Sequence, residues 1–181
     1  MNYKYKIKVN QIPVLLGLDK YNSKDETIDQ IILKSTPKKT FLKNNPTKKQ
    51  KYYVNRTPTI ENIINKFYKY HKEEVKEINK NLNKSLELEN IIITGSIYSI
   101  TLNKENDKAI LLIKQRKNRI FDNIPIGDEV INQTLMKLFN CNKLLYLQTY
   151  KETFDILETD FNEKYYNKKI IEPLINIFKN I

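Results

Sequence analysis

The pattern of hydrophobic and polar residues centres on residues 91–119, where two apolar runs flank a polar turn. The first run, Ile91–Thr101, is rich in isoleucine, and the second, Ala109–Ile113, reads AILLI. Residues 103–108 between them read NKENDK, a composition typical of a turn. Because β-branched and other apolar residues are dense on both sides of this turn, the pattern predicts a hairpin of two partly buried strands.

Patterns before the hairpin predict one strand and several helices. Alternation of polar and apolar residues predicts a strand at Asn2–Val9. A short helix is predicted at Asn10–Gly17, and a capping box predicts a second helix from Ser23 to about Lys34. The residues of this second helix predicted to point inward are Ile28, Ile31, Ile32 and Leu33. Apolar residues then recur at helical spacing through Thr57–Glu89, which predicts one long helix or two.

Patterns after the hairpin predict two more helices around a second strand pair. Asp128 is predicted to cap the first of these helices. Apolar stretches at Lys143–Tyr150 and Thr153–Glu158 predict two strands joined by a short turn. A last helix is predicted at Phe161–Lys179, and Pro173 should kink or divide it.

The amino-acid composition adds a strong positive charge to the predicted domain. At 181 residues the chain suits one domain, but its formal net charge is +11. Such an excess favours a polyanionic partner, usually nucleic acid. The chain is also rich in Ile, Asn and Lys, as in an AT-rich genome, so part of the charge has an alternative origin. No stretch approaches the roughly 18 apolar residues of a membrane span, so we expect no membrane partner.

Cysteine usage and the first residues bear on location and on metal binding. The N-terminal residues MNYKYKIKVN lack the apolar core of a signal peptide. The single Cys141 excludes an internal disulfide and fits a reducing compartment. We therefore expect an intracellular, non-secreted protein. With His71 as the only histidine, a zinc site built from histidines and cysteines is excluded.

A basic segment, Lys34–Arg56, contains no acidic residue. Pro37 and Pro46 interrupt regular structure, and Phe41 and the tyrosines at 52–53 are interleaved with the lysines. Such a loop suits phosphate pairing with base stacking. The alternative is a surface loop whose aromatic residues pack on the protein body. The candidate nucleic-acid contacts in this segment are Lys38, Lys39, Lys43, Lys48, Lys49 and Lys51.

A second cationic cluster follows the hairpin directly. The second strand runs into Lys114, Arg116, Lys117 and Arg119. Lys114 and Arg116 are two residues apart and therefore share one face of an extended chain. The cluster is either an anion site or a solvated strand end.

The same hairpin resembles the core of the PD-(D/E)XK nuclease superfamily, in particular its YqaJ-like (lambda-exonuclease-like) branch in phages and large DNA viruses. The first strand of that branch reads approximately G-x-x-D-G-I, where this chain has GSIYSI at residues 95–100. The second reads E-x-K with a basic tail, where this chain has LIKQRKNRIF at residues 112–121. Lys114 and the tail match, but Tyr98 occupies the aspartate position and Leu112 the glutamate position.

Two further stretches carry the resemblance. Residues 12–23, IPVLLGLDKYNS, are similar to the N-terminal segment of the branch. Gln133 falls in the register of a glutamine that, in the family, contacts the active site or the substrate. Here Gln133 is either such a contact or a polar remnant.

The resemblance implies an α/β (α+β) fold in which helices flank a central mixed β-sheet, as in restriction endonucleases. It implies one nuclease-like domain over residues 1–181, with the basic loop at about 35–57 and the core hairpin at about 91–116. It also implies loss of cleavage, because the family holds Mg²⁺ between its two acids. Leu112 offers no ligand and the phenol of Tyr98 is a poor one. We therefore expect no catalytic residue, no metal ligand and no cofactor.

Three functions stay open. The first is a catalytically inactive nuclease-like protein that binds nucleic acid, with DNA favoured. The second is a structural or assembly protein with viral protein partners, in a virion or at a viral replication site. The third is a nuclease that binds Mg²⁺ through relocated acids. The candidate relocated acids are Glu105, Asp107, Asp122, Asp128 and Glu129.

Overall fold

The computed structural model describes residues 4–35, 59–71, 75–102 and 108–179. Two groups of predicted residues lie outside the described residues. One comprises the candidate nucleic-acid contacts of the basic segment, Lys38, Lys39, Lys43, Lys48, Lys49 and Lys51. The other comprises the acids of the hairpin turn, Glu105 and Asp107.

The described part of the chain forms a mixed sheet flanked by helices, which confirms the predicted fold class. The strands are β1 (Tyr5–Lys8), β2 (Val75–Leu88), β3 (Ile91–Leu102), β4 (Lys108–Gln115), β5 (Lys143–Tyr150) and β6 (Thr153–Asp160). The α-helices are α1 (Ile12–Leu15), α2 (Lys24–Ser35), α3 (Ile60–His71), α4 (Ile126–Phe139), α5 (Glu163–Tyr165) and α6 (Glu172–Lys179). A 3₁₀ turn, Val9–Gln11, precedes α1, and a π-helical segment, Tyr166–Ile171, joins α5 to α6.

Strand β3 is the centre of the sheet because three strands pair with it. The order is β1-β3-β4-β5-β6, and β2 also pairs with β3. β1 is parallel to β3 and β4 is parallel to β5, whereas the other pairs are antiparallel. β2 follows β3 along its whole length, so β1 and β4 share the opposite edge of β3.

The pairing between β3 and β4 ends before either strand does. The ladder runs from the hairpin turn to Tyr98 opposite Leu111, while β4 continues beside β5 as far as Gln115. β1 pairs with the same edge of β3 at its amino-terminal end and stops with Lys8 opposite Thr94. The space between residues 95–97 of β3 and the carboxyl ends of β1 and β4 is hereafter called the fork.

Helices cover both faces of the sheet. Neighbouring residues on β3 to β5 alternate between two buried clusters, as expected of strands. The larger cluster contains Ile97 and Ile110 and includes side chains from α1, α2, α4 and α6. The smaller cluster contains Leu111 and Leu147 beneath Phe67 of α3. The fork opens next to the larger cluster.

The prediction that Thr57–Glu89 is helical is wrong in its second half. α3 ends at His71, and Val75–Leu88 forms β2. Ile78, Leu82 and Leu86 are four residues apart, so they share a face in a helix and also fall on alternate positions of a strand. The segment forms a strand because it pairs with the full length of β3, with a register shift between Asn79 and Leu82.

Two smaller expectations concern Leu33 and Pro173. Leu33, predicted to point inward from α2, is 71% exposed, whereas Ile31 is buried. Pro173 lies inside the last helical stretch as predicted, and this stretch changes from π-helical to α-helical at Glu172, one residue before it. Such a local rearrangement often accompanies a proline, which lacks a backbone donor.

The backbone of β3 at the fork lies unusually close to α4 and to the turn before α1. A Cβ atom on Gly95 would lie 2.9 Å from Leu135 Cδ2, 2.9 Å from Leu138 Cδ2 and 3.0 Å from Val9 Cγ2. Three separate side chains would therefore have to move. The absence of a side chain at Gly95 accommodates this close approach of β3, α4 and the segment after β1.

Replacing Gly95 by alanine should lower the free energy of unfolding by about 1–3 kcal/mol, because the new methyl group overpacks this junction. Gly127→Ala in α4 is the matched control, since its Cβ would lie at an ordinary 3.5 Å from Pro13 Cβ. The control should change stability by less than about 1 kcal/mol. Chemical denaturation measures both, and equal effects would contradict the close approach at Gly95.

Candidate functional site

An open cavity of about 820 Å³ occupies the fork. In the part of the chain that the structure describes, four lysines and no carboxylate line it. Val9, Leu112, Ile131 and Leu135 give it an apolar floor. The lysines are Lys6, Lys8, Lys84 and Lys114.

Three strands bring these lysines together. Lys6 and Lys8 are two residues apart on β1, and Lys84 of β2 lies opposite Gly95 of β3. Lys114 stands near the carboxyl end of β4, beyond the last β3–β4 pair. Because four lysines and no carboxylate line a concave site with an apolar floor, the local field favours an anionic ligand.

Asp128 in the first turn of α4 pairs with both cations at the end of β4. Lys114 Nζ lies 2.8 Å from Asp128 Oδ1, and Arg116 Nη2 lies 3.0 Å from Asp128 Oδ2. The side chains of Asp128 and Arg116 are 14% and 16% exposed, and that of Lys114 is 29% exposed. One carboxylate therefore balances two cations, which leaves the group with an excess positive charge.

Arg116 is held on several sides. Its Nε donates a 3.0 Å hydrogen bond to Gln148 Oε1, and its Nη2 donates to the hydroxyl of Tyr146. That hydroxyl donates in turn to Asp128. The guanidinium carbon lies 4.7 Å from the ring centroid of Phe121, within the range of a cation–π contact. Arg116 is therefore a fixed structural cation.

Gln148 extends this network to the loop after β4. Its Nε2 donates a 2.8 Å hydrogen bond to the carbonyl of Phe121, and its Oε1 also accepts from the backbone N–H of Phe121. Gln148 is fully buried, so these bonds satisfy a polar group that would otherwise be costly to bury. The loop that carries the basic tail is thereby attached to β5.

The network shifts the ionisation of Asp128 and Tyr146. Burial by itself would raise the pKa of the Asp128 carboxyl, but hydrogen bonds from Lys114 and Tyr146, the charge of Lys114 and the bond from Arg116 lower it below its ordinary value of 3.8. Burial and the neighbouring Asp128 charge raise the pKa of Tyr146 well above its ordinary value. Asp128 is therefore ionised and Tyr146 protonated at neutral pH.

The structure brings together some of the predicted site residues. Lys114 and Arg116 share a face, as predicted, and both bind Asp128. Lys117 and Arg119 are exposed in the loop that follows, where the Arg119 guanidinium lies 5.4 Å from the Phe121 ring centroid. Asp128 is not the cap of α4, because the helix begins at Ile126.

Tyr98 does not face the fork. It packs in the smaller cluster beneath α3, whereas Leu112 lines the fork on the other face of the sheet. The alignment of Tyr98 with the family's first acid therefore puts that position on the opposite face from Lys114. On the face of Leu112, the side chain that β3 supplies nearby is Ile97, which is apolar.

Gln133 lies away from the fork. Its Nε2 donates to Glu129 Oε1 at 2.7 Å and to the carbonyl of Asp160 at 2.9 Å, and its Oε1 accepts from the backbone of Asn162 at 2.8 Å. It joins α4 to the end of β6. Glu129 takes part in the same contacts and also lies 3.3 Å from Thr159 Oγ1.

The side chains at the fork do not fit a magnesium ion. Mg²⁺ requires several oxygen ligands in near-octahedral geometry. Among residues 4–35, 59–71, 75–102 and 108–179, no group of three or more His, Cys, Asp or Glu residues could hold a metal. Asp128 is already engaged by two cations and a hydroxyl. We therefore derive no metal-dependent step from this site.

Comparison with known proteins bears on the fold alone. No protein-family model matches the chain, and no curated protein sequence matches it. Solved structures of similar fold include the alkaline exonuclease LHK-Exo of Laribacter hongkongensis, with a TM-score of 0.55 at 8% identity over 97% of this chain and 89% of that one. LHK-Exo in complex with dAMP gives 0.57 at 10% identity over the same shares. A protein designated SSO0001 gives 0.53 at 12% identity, over 97% of this chain and 78% of that one.

These likenesses confirm a nuclease-like fold. At 8% to 12% sequence identity they show the fold and not the chemistry of the site. A separate finding concerns membranes: none of the helices within the described ranges is long and apolar enough to cross a bilayer.

Replacing Asp128 by asparagine should lower the free energy of unfolding at pH 7 by about 1.5–3 kcal/mol, because charge-assisted hydrogen bonds to two cations are weakened. The lowered pKa of Asp128 makes this contribution present above its ordinary value of 3.8 and lost as the pH falls through the folded-state value. The stability difference between wild type and Asp128→Asn should therefore shrink in acid.

Thermal or urea unfolding at several pH values measures this difference. Asp122→Asn in the preceding loop is the control, because Asp122 is exposed and its loss should cost less than about 0.5 kcal/mol. A pH-independent difference for Asp128→Asn would argue against the ionised pairing.

Proposed function

We propose that this protein is a catalytically inactive relative of the PD-(D/E)XK nucleases that binds nucleic acid, with DNA favoured, at the fork. The observation that carries the proposal is the lining of the fork, which includes four lysines and no carboxylate among the described residues. Lysine ammonium groups pair with phosphates as mobile point charges. An ordinary metal-dependent site of this kind would need acids in the same place.

The proposed mode of binding follows from the chemistry of lysine. Contacts to phosphates carry no sequence information and are strongly weakened by salt. We propose that the fork holds the backbone of the ligand and that the exposed Lys117 and Arg119 extend the basic surface along the loop after β4. The lysines of residues 38–51 remain proposed contacts of the same ligand.

The proposed loss of catalysis rests on two features. Leu112 presents an apolar side chain to the fork beside Lys114, where a metal ligand would be needed. The negative charge of Asp128, the carboxylate paired with Lys114, is balanced by that lysine and by Arg116. A nucleotide complex is known for the LHK-Exo structure of similar fold, which supports a nucleotide-sized ligand on such a scaffold without fixing its chemistry here.

A structural or assembly role, in a virion or with other viral proteins, is the second candidate. It is favoured by the same observation that argues against catalysis, namely a nuclease-like scaffold whose fork has an apolar floor. The two candidates differ in one measurable property, the affinity for nucleic acid near physiological salt. A viral source is itself part of the proposal, because it rests on the resemblance of the hairpin.

Replacing Lys6, Lys8 and Lys84 together by glutamine should weaken binding of a labelled DNA duplex or single strand and flatten its salt dependence. The expected loss of slope is up to about 0.9 per phosphate contact on a duplex. The matched control replaces Lys164, Lys168 and Lys169, which are exposed on the last helical stretch and do not line the fork. Both triple variants lose the same charge.

Equal losses in the two triple variants would mean that only net charge attracts DNA, and would remove the fork from the proposal. Absence of binding by the wild type would favour the structural role. Fluorescence anisotropy over a salt series, with and without Mg²⁺, measures these affinities.

Wild-type protein incubated with linear or single-stranded DNA and Mg²⁺ or Mn²⁺ should yield no cleavage products, because the fork lacks the acids that would hold the metal. Gel analysis of end-labelled DNA measures this. Cleavage that disappears in Asp128→Asn would instead identify Asp128 as a relocated acid and replace the proposal with an active nuclease.

A further inference from the structure

We propose that Asp128 competes with nucleic-acid phosphate for Lys114, so that the Asp128–Lys114 ion pair must break before that lysine can bind the ligand. The inference rests on the proposed function and adds a residue that opposes it. It predicts that removal of a native carboxylate strengthens binding.

The geometry of Asp128 is that of a bridging anion. Its two oxygens lie 2.8 Å from Lys114 Nζ and 3.0 Å from Arg116 Nη2, one oxygen to each cation. The two non-bridging oxygens of a phosphodiester can accept hydrogen bonds from the same kinds of donor. A phosphate that approaches Lys114 would therefore compete with this carboxylate for the lysine.

The two cations differ in how easily they can be released. Arg116 is fixed by Gln148, Tyr146 and Phe121, so it can hold Asp128 in place while Lys114 moves. Lys114 lines the cavity, is 29% exposed, and ends a flexible stem. Lys114 is therefore the cation for which Asp128 and a ligand compete, and Arg116 is the anchor of the competitor.

The opposite role would also fit a carboxylate next to a lysine. If Asp128 positioned Lys114 towards the ligand, its loss would weaken binding. The two roles differ in sign, so a single neutralising substitution separates them. Asparagine keeps the shape of the side chain and its hydrogen bonds to neutral groups.

The experiment compares the DNA affinity of wild type, Asp128→Asn, Glu129→Gln, Lys114→Ala and the Asp128→Asn/Lys114→Ala double variant. Asp128→Asn should tighten binding about three- to tenfold at moderate salt, because a partly exposed ion pair no longer has to be broken. Glu129→Gln removes the same charge one residue away. Its side chain contacts Gln133 and Thr159, so affinity should change less than about twofold.

The double variant tests whether the gain in affinity acts through Lys114. If the gain comes through Lys114, Asp128→Asn should have no strengthening effect in the Lys114→Ala background. A gain that persists there, an equal gain in Glu129→Gln, or weaker binding by Asp128→Asn would each overturn the inference. Loss of binding in Lys114→Ala alone would leave the proposed function standing, whereas absence of binding by the wild type would remove both.

A measurement on the wild type keeps the inference testable if Asp128→Asn does not fold. The side-chain carboxyl ¹³C resonance of Asp128 is followed by NMR as a short oligonucleotide is added. Displacement from Lys114 should move this resonance at saturation, while the resonance of Glu129 should stay in place. An Asp128 resonance unchanged in a saturated complex would show that the ligand does not contest the ion pair.

Discussion

The ion pairs of Asp128 are the interaction on which the geometry of the fork depends. They join the first turn of α4 to the end of β4, at the point where β4 has left β3 and pairs with β5 alone. Tyr146 and Gln148 of β5 complete the same network, and Gln148 attaches the loop after β4 to β5. Without a carboxylate there, two cations would face each other across a partly buried site. The pairing therefore stabilises the scaffold while it engages Lys114, one of the four lysines that line the fork.

This arrangement leaves the fork of a nuclease-like scaffold without a fitting set of magnesium ligands among the described side chains. An acid that holds a metal must keep its oxygens available, whereas Asp128 has both of its oxygens engaged within the protein. The apolar floor beneath the lysines, with Leu112 and Ile131, packs continuously with the larger cluster. Apolar side chains and paired charges thus occupy the positions where a metal site would need ligand oxygens. The fork combines a lysine-rich lining with an apolar floor that belongs to the hydrophobic core.

The sequence predicted the elements whose residues carry one dominant signal. The hairpin, the pair β5–β6 and the shared face of Lys114 and Arg116 follow from alternation and turn composition. β2 was missed because its leucines and isoleucine fit both helical and strand spacing, and only pairing with β3 separates the two. Asp128 was read as a cap because an acid near a helix start has that local role far more often. Lys6, Lys8 and Lys84 carried no local signal, since the fork that unites them is made by distant strands.

The parallel pairing of β1 with β3 has a consequence for how the protein folds. Thr94 Oγ1 donates to the carbonyl of Ile7 across 87 residues of sequence, whereas β3, β4, β5 and β6 pair with near neighbours. Contacts so distant in sequence form slowly, because the intervening chain must first be ordered. We expect the sheet from β2 to β6 to form before β1 docks. The fork, which needs Lys6 and Lys8 of β1, would then be among the last parts of the molecule to be assembled.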